Sequence, residues 1–200
     1  FWRQITGDRR TFRFAFSDTD STGRPRRAVV TINRALTGTF NILTTPPADS
    51  VFERHVVRKP LHDLWVRKVW LQRVREPGRQ GPAWRIAGTS GVQVTSSDAA
   101  TRIVSLRVQA GAYDSTITDP LAFFRLRSVV RFDSDAQVTL TVTTLRSDDV
   151  VVLLHRARRL AFHNNGDNTY TGVFGAGALI GVQHAGVNAL SHGSIFDDGA

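Results

Sequence analysis

The segment Gln137–Thr144 reads QVTLTVTT, and it decides the fold class. Val138, Leu140 and Val142 alternate with threonine, and successive side chains of a β-strand point to opposite faces. One face of this strand is therefore apolar and the other polar, which is typical of an antiparallel sheet that covers a core on one side. The segment predicts a mostly-β chain.

Short apolar or alternating segments surround this strand at close spacing. Clusters of turn-forming residues separate them, for example RSDD (146–149) and NNGDN (164–168). One of these predicted strands is LAFFRLRSVVRF (121–132). About seven short strands in roughly 100 residues is the pattern of a β-sandwich.

The N-terminal half predicts further strands. In TFRFAF (11–16) three phenylalanines share one face, and turn formers at 17–25 connect this segment to RAVVTINRAL (27–36). The two segments indicate a β-hairpin, and TGTFNILTT (37–45) predicts a separate strand after it. The phenylalanines on that face are Phe12, Phe14 and Phe16.

The segment LHDLWVRKVWLQRV (61–74) allows two interpretations, a helix or a strand. Its leucines fit helical spacing, but Lys68 and Gln72 would interrupt the apolar stripe of a helix. Its valines and tryptophans are typical of strands, so the strand is favoured. AWRIAG (83–88) and GVQVTS (91–96) predict one or two further strands.

Four segments of the C-terminal half occur in a recognisable order: QVTLTVTT, DDVVVLLH (148–155), NNGDNTYTGVF (164–174) and GVQHAGVNAL (181–190). Together they resemble the bacterial immunoglobulin-like domains of exported proteins, in which a Gly-Asp-Gly-Thr-Tyr turn leads into a strand. Asn168 replaces the second glycine here, and asparagine tolerates the left-handed region. The resemblance implies a sandwich and an extracellular or envelope setting, and it carries no catalytic residue.

The small polar segment SSDAA (96–100) predicts the boundary between two modules. We expect residues 1–97 to form a curved antiparallel sheet, with a helix as an option, and residues 98–200 to form an immunoglobulin-like sandwich. The strands of the first module that end in AWRIAGTS (83–90) resemble the curved sheet of nuclear-transport-factor-like domains. The helices of that family are missing from the pattern.

Composition narrows the function classes. The chain has no cysteine, which excludes disulfides, thiolate nucleophiles and cysteine-based zinc sites. The formal charge is +9, and all basic residues except Lys59 and Lys68 are arginine. These charges are dispersed and none follows Arg159, so the pattern does not favour nucleic acid as a partner.

No apolar run is long enough to span a membrane as a helix. The chain starts at Phe1 without methionine, so we expect a processed or trimmed product.

Two loops carry several oxygen-bearing side chains. Asp18, Asp20 and Gly23 match the opening of a calcium loop, but its twelfth position is Val29 rather than a carboxylate. The NNGDN loop offers only one anion. Turn chemistry explains both loops without a ligand, so we predict no metal.

The sequence contains no recognisable catalytic constellation. The pair His62-Asp63 lacks a nucleophile motif, and the six histidines lack tight metal-ligand spacing. The carboxylate pairs Asp148/Asp149 and Asp197/Asp198 would point to opposite faces of a strand. We therefore predict no catalytic residue and no cofactor.

The four tryptophans lie in the N-terminal half, interleaved with arginines. They either fill a core or form an aromatic and basic surface for a ligand. The candidate ligand-binding residues are Trp65, Arg67, Trp70 and Trp84.

These observations predict a non-enzymatic structural, adhesive or assembly module of a secreted or cell-surface bacterial protein. Its expected partners are other protein chains, including further copies that assemble through strand edges. A second hypothesis is a module that binds an acidic glycan or another polyanion through the Trp/Arg face. A third is an enzyme with a site between the two modules.

Overall fold

A computed structural model describes residues 1–43, 56–75, 78, 81–97, 99–126, 129–155, 158–177 and 181–196. Within these residues the chain forms thirteen β-strands and one short helix, so the mostly-β prediction is confirmed. The chain divides into two compact units. The first unit comprises Phe1–Ser97 and Pro120–Val129, and the second comprises Asp98–Asp119 and Val130–Ala200.

The first unit is built from unusually long strands. Three of them have 18 to 20 residues, against a typical length of about 5–6. They form one antiparallel sheet in the order β1-β2-β3-β4-β7. Its strands are β1 (Trp2–Thr19), β2 (Pro25–Leu43), β3 (Val56–Arg75), β4 (Pro82–Ser96) and β7 (Phe124–Arg125).

The structure confirms the predicted hairpin, and it places residues 61–74 in β3 as a strand. The described part of the first unit contains no α-helix. The predicted break between residues 36 and 37 is wrong, because β2 is continuous. Gly38 explains this: a Cβ there would lie 2.0 Å from the carbonyl oxygen of Gln4, so glycine permits a close approach of β1 rather than a turn.

One face of the first sheet is its core face. The buried apolar side chains of β2 all lie at even positions and therefore point to the same side. On this side Phe16 of β1 approaches Trp84 of β4 to 6.3 Å between ring centroids. Two strands lie between them, a separation of about 14 Å in a flat sheet. The rings meet because the sheet curves around its core face. The buried residues of β2 are Ala28, Val30, Leu36, Phe40 and Ile42.

The second unit contains two antiparallel sheets. One has the order β11-β12-β8-β5-β6 and the other the order β10-β9-β13. A short helix, α1 (His192–Phe196), follows the last strand. The strands are β5 (Ile103–Ala110), β6 (Tyr113–Ile117), β8 (Gln137–Thr144), β9 (Val150–His155), β10 (Arg158–Ala161), β11 (His163–Asn164), β12 (Thr169–Gly175) and β13 (Ala185–Leu190).

The core of the second unit lies between its two sheets. The apolar face of QVTLTVTT is buried as predicted, with Val142 fully inaccessible. It packs in one cluster with Val151 and Leu153 of β9 and with Tyr170 of β12. Because the cluster joins strands of both sheets, the second unit has a β-sandwich-like architecture.

The predicted strand at 121–132 differs most from the structure. Among the described residues of this segment, which exclude 127 and 128, only Phe124–Arg125 is a strand, and it pairs with Gly88 and Thr89 of β4 in the first unit. The apolar run of this segment resembled a sandwich strand, but its hydrogen-bond partner is the edge of another sheet. The strand forms where the segment pairs with β4, which is distant in the sequence. The local residue pattern therefore could not predict which part of the segment is a strand.

Candidate interaction surface

A row of phenylalanines lies on the core face of β1, the edge strand of the first sheet. In the β1–β2 register Phe12, Phe14 and Phe16 pair with Ile32, Val30 and Ala28. The three phenylalanines are 57%, 55% and 60% exposed, whereas their neighbours Ala28 and Val30 are 1% and 7% exposed. The core face is therefore covered along β2 and uncovered along β1. We call Phe12, Phe14 and Phe16 the Phe row.

The Phe row is continuous with other apolar side chains. The rings of Phe14 and Phe16 stack at 6.3 Å, and Phe16 contacts Trp84, which is itself 41% exposed. Ile86, also largely exposed, pairs with Leu71 on the same face. Large exposed apolar patches are uncommon on soluble proteins and mark interaction sites.

The four predicted ligand-binding residues do not converge. Trp65, Arg67 and Trp84 lie on the core face, but Trp70 lies five positions from Trp65 on β3 and points to the opposite face. Trp84 pairs with Arg73, about 26 Å along the strand from Trp65. The structure thus joins Trp84 to the Phe row and separates it from the other three residues.

Arginines within the chain already cover two of these tryptophans. The guanidinium carbon of Arg34 lies 5.6 Å from the ring centre of Trp65, and Asp8 binds this arginine through two hydrogen bonds of 2.8 Å. That hydrogen bonding lowers the pKa of Asp8 and raises the pKa of Arg34. Arg27 covers Trp70 in the same way, at 5.7 Å. Both contacts are cation–π interactions in which an arginine of β2 covers a tryptophan ring of β3.

Asp20 organises the turn between β1 and β2. Its Oδ1 accepts hydrogen bonds from the Thr22 hydroxyl at 2.6 Å, the Thr22 amide at 2.9 Å and the Arg24 amide at 3.0 Å. Arg73 lies 3.5 Å from Oδ2. The Thr22 hydroxyl and the Arg24 amide are the main causes that lower the pKa of Asp20 to about 2. The candidate calcium loop is therefore a hairpin turn whose carboxylate is already hydrogen-bonded.

We expect Asp20 to make the stability of the first unit depend on pH. Its pKa in the folded state lies below the ordinary value of 3.8, so its stabilising effect is complete above about pH 4 and is lost as the pH falls towards about 2. Thermal unfolding of the wild type and of Asp20→Asn at pH 5, 3 and 2 tests this. The difference between the two melting temperatures should shrink with falling pH, and a constant difference would contradict the assignment.

The segment 164–168 is the turn that joins β11 to β12, as predicted. Asn164 Oδ1 accepts the Gly166 amide at 2.8 Å, and Asp167 Oδ1 accepts the Thr169 amide at 3.2 Å. Asn168 has φ = 65°, which lies in the left-handed region. The side chains of Asn164 and Asp167 accept hydrogen bonds from backbone amides of the turn itself, and Asn168 adopts the left-handed conformation expected from the sequence.

Substitution of Asn168 should separate backbone conformation from side-chain chemistry. Asn168→Val places a β-branched residue at positive φ, so we expect a loss of about 1–2 kcal/mol in the free energy of unfolding. Asn168→Gly should stay within about 0.5 kcal/mol of the wild type, because glycine adopts this conformation freely. Urea denaturation of the three proteins measures both effects. Equal stability of the valine and glycine variants would overturn this assignment.

Two catalytic alternatives from the sequence do not assemble, and the third, the pair Asp197/Asp198, lies outside the described residues. His62 is exposed, while its neighbour Asp63 is buried on the other face of β3 and accepts a hydrogen bond of 2.5 Å from Ser96. Asp148 is exposed and pairs with Arg146, whereas Asp149 is buried. Across the described ranges no three histidine, aspartate or glutamate side chains are grouped so that they could hold a metal ion.

Comparison of the chain with protein-family models, with curated proteins and with solved structures finds no significant match. None of the helical segments in the described part of the chain has the length and apolar character needed to cross a membrane.

Proposed function

We propose that this chain is a non-enzymatic assembly module that acts through protein–protein contacts. The observation that carries the proposal is the exposure of the Phe row on the core face of the edge strand. More than half of the surface of each phenylalanine is accessible, while Ala28 and Val30, which pair with Phe16 and Phe14, are almost completely buried. A row of exposed aromatic rings beside a buried strand is best explained by a partner that covers it.

The architecture of the second unit supports an immunoglobulin-like relationship. Its larger sheet has the order β6-β5-β8-β12-β11, which matches strands A, B, E and D of that fold with one additional edge strand. Its smaller sheet, β10-β9-β13, matches strands C and F with an additional strand beside C. This order is the basis for proposing that the chain belongs to an exported or cell-surface bacterial protein.

A module that binds an acidic glycan or polyanion is the second candidate. It is favoured by the exposure of Arg67 and Trp84 on the core face and by the formal charge of +9. The Phe row ranks above it, because apolar rings do not need an anionic partner and the arginines beside Trp65 and Trp70 already have carboxylate partners. The two candidates differ in their dependence on salt.

Size-exclusion chromatography with light scattering, at low and high salt and over a range of protein concentrations, tests the proposed function. We expect association that grows with concentration and persists at high salt, since burial of apolar surface is not screened by ions. A monomer under all conditions would overturn self-assembly. Salt-sensitive retention of that monomer on a heparin column would favour the polyanion-binding candidate instead.

A further inference from the structure

We propose that β1 pairs with β1 of a second copy, antiparallel and around a two-fold axis at Phe14, so that two first-unit sheets become one continuous sheet. This inference rests on the proposed assembly function and names its partner and its interface. A two-fold interface uses the same patch on both subunits, so that patch must be complementary to itself. The sequence of β1 has this property.

The outer edge of β1 is long and regular. Within the described residues β1 pairs only with β2, and the register is unbroken from Gly7 to Ser17 after a bulge between Ile5 and Gly7. Asp18, at φ = 56°, interrupts the regular strand before Thr19. Natural edge strands are commonly protected by proline, by charged side chains, above all lysine, or by bulges. The regular part of β1 contains neither proline nor lysine, and its only charged residue between Thr11 and Ser17 is Arg13. It therefore offers unpaired backbone groups to another strand.

Antiparallel pairing of two identical strands restricts the register. Residues that exchange hydrogen bonds alternate along each strand, so a two-fold axis must pass through a residue and not between two residues. With the axis at Phe14, the Phe14 rings of the two copies lie opposite each other. Phe12 of each copy lies opposite Phe16 of the other copy. All six rings of the dimer then have aromatic cross-strand neighbours, and such pairs stabilise sheets. At both ends Arg10 lies nearest to Asp18, whose left-handed backbone (φ = 56°) leaves the regular strand.

The neighbouring registers are less favourable. An axis one residue nearer the N-terminus puts Arg13 against its own copy, and like charges directly opposite each other destabilise a sheet. An axis two residues nearer the N-terminus puts Phe14 opposite Arg10. An axis one residue nearer the C-terminus puts Phe12 opposite Asp18. Only the register at Phe14 pairs every ring with a ring and avoids contacts between like charges from Arg9 to Thr19.

The charged residues at the two ends can take part in this contact. The side chain of Arg10 is 57% exposed and lies 3.7 Å from Asp8. The side chain of Asp18 is 44% exposed and lies 3.3 Å from Arg27. Each therefore has an ion-pair partner within the chain and keeps accessible surface for an opposite charge. Their contribution is that of exposed pairs, which is small.

The expected affinity follows from the area. An aromatic side chain offers about 150–250 Å², and the six phenylalanines are a little more than half exposed, so pairing of the strands buries at most about 600 Å² of them. A stable interface buries at least roughly 1,200 Å² in total, and the strand backbones and flanking side chains must supply the remainder. The interface is thus near the lower limit, which predicts a dimer with a dissociation constant in the micromolar range.

Charge-swapped variants at the axis test the pairing. Sedimentation velocity should detect a wild-type dimer at tens of micromolar, whereas Phe14→Arg and Phe14→Glu alone should each dimerise more than tenfold more weakly. A mixture of the two variants should regain the dimer, because position 14 lies opposite position 14 only in this register. Leu64→Arg is the matched control, since Leu64 is 44% exposed but lies in β3, on the face opposite to the Phe row. It should dimerise like the wild type.

The outcomes also separate this inference from the proposed function. Wild-type association that is unaffected by Phe14→Arg would overturn the β1 pairing and leave assembly through another surface. Folded Phe14→Arg and Phe14→Glu proteins that stay monomeric when mixed would exclude the axis at Phe14. A wild type that is monomeric at all concentrations would overturn both. Circular dichroism confirms folding of each variant, and the exposed position of Phe14 makes unfolding an unexpected result.

Discussion

Replacement of Leu153 by alanine is expected to lower the free energy of unfolding of the second unit by about 3 kcal/mol, within the range of about 2–5 kcal/mol seen for buried leucines. Leu153 is 1% exposed in β9, the central strand of the smaller sheet. In the register it lies between Leu160 of β10 and Val187 of β13. The variant would leave a cavity that neighbours on three sides cannot fill without moving.

Urea denaturation followed by circular dichroism measures this loss, and the exposed Leu145 provides the matched control. Leu145→Ala removes the same atoms from a side chain that is 48% exposed, so its cost should stay below about 1 kcal/mol. Because the chain has two units, the measurement should use a probe of the second unit, such as the environment of buried Tyr170. A loss below about 1 kcal/mol for Leu153→Ala would contradict the position of β9 in the core.

The strands of the sandwich could be predicted from the sequence because their local pattern and their burial agree. In QVTLTVTT every second residue is apolar, and these same residues form the core cluster. The turn at 164–168 was predictable for a similar reason. Gly166 and Asn168 both have positive φ, and both residue types signal that conformation in the sequence itself.

The candidate interaction surface could be predicted only in part. The sequence shows that Phe12, Phe14 and Phe16 share a face, but not that β1 lies at the edge of its sheet. A strand in the centre of the sheet would bury the same three rings. The predicted Trp/Arg group failed to converge because β3 carries Trp65 and Trp70 at positions of opposite parity. Strand parity was available in the sequence, whereas the separation of Trp84 from Trp65 depends on the β3–β4 register.

Burial of one member of a carboxylate pair was also missed. Asp148 and Asp149 belong to the predicted turn RSDD (146–149), and a turn suits Asp148, which pairs with Arg146 at the surface. Asp149 instead lies just before β9 and is 4% exposed. Its partner is Thr101, which is 48 residues away in the sequence. No local pattern signals a hydrogen bond between residues so far apart, so such contacts need the tertiary structure.

The contact between Thr101 and Asp149 leads to the second large expected effect. The Thr101 hydroxyl donates a hydrogen bond to Asp149 Oδ2, and Oδ1 has no hydrogen-bond partner among the described residues. Thr101→Val keeps the shape of the side chain and removes this donor. A buried carboxylate would then be left poorly solvated, so we expect the free energy of unfolding to fall by about 2–3 kcal/mol.

A double-mutant cycle with Asp149→Asn shows whether the buried charge causes this loss. Asn has no charge to desolvate, so adding Asp149→Asn to Thr101→Val should recover at least about 1 kcal/mol of the lost stability. Thr139→Val, a matched change on the polar face of β8, should stay within about 0.5 kcal/mol of the wild type. If Thr101→Val were as stable as Thr139→Val, the hydroxyl would not stabilise the carboxylate. If instead the double variant lost the sum of both single losses, the two side chains would not be coupled, and the buried aspartate would have to be stabilised by other groups.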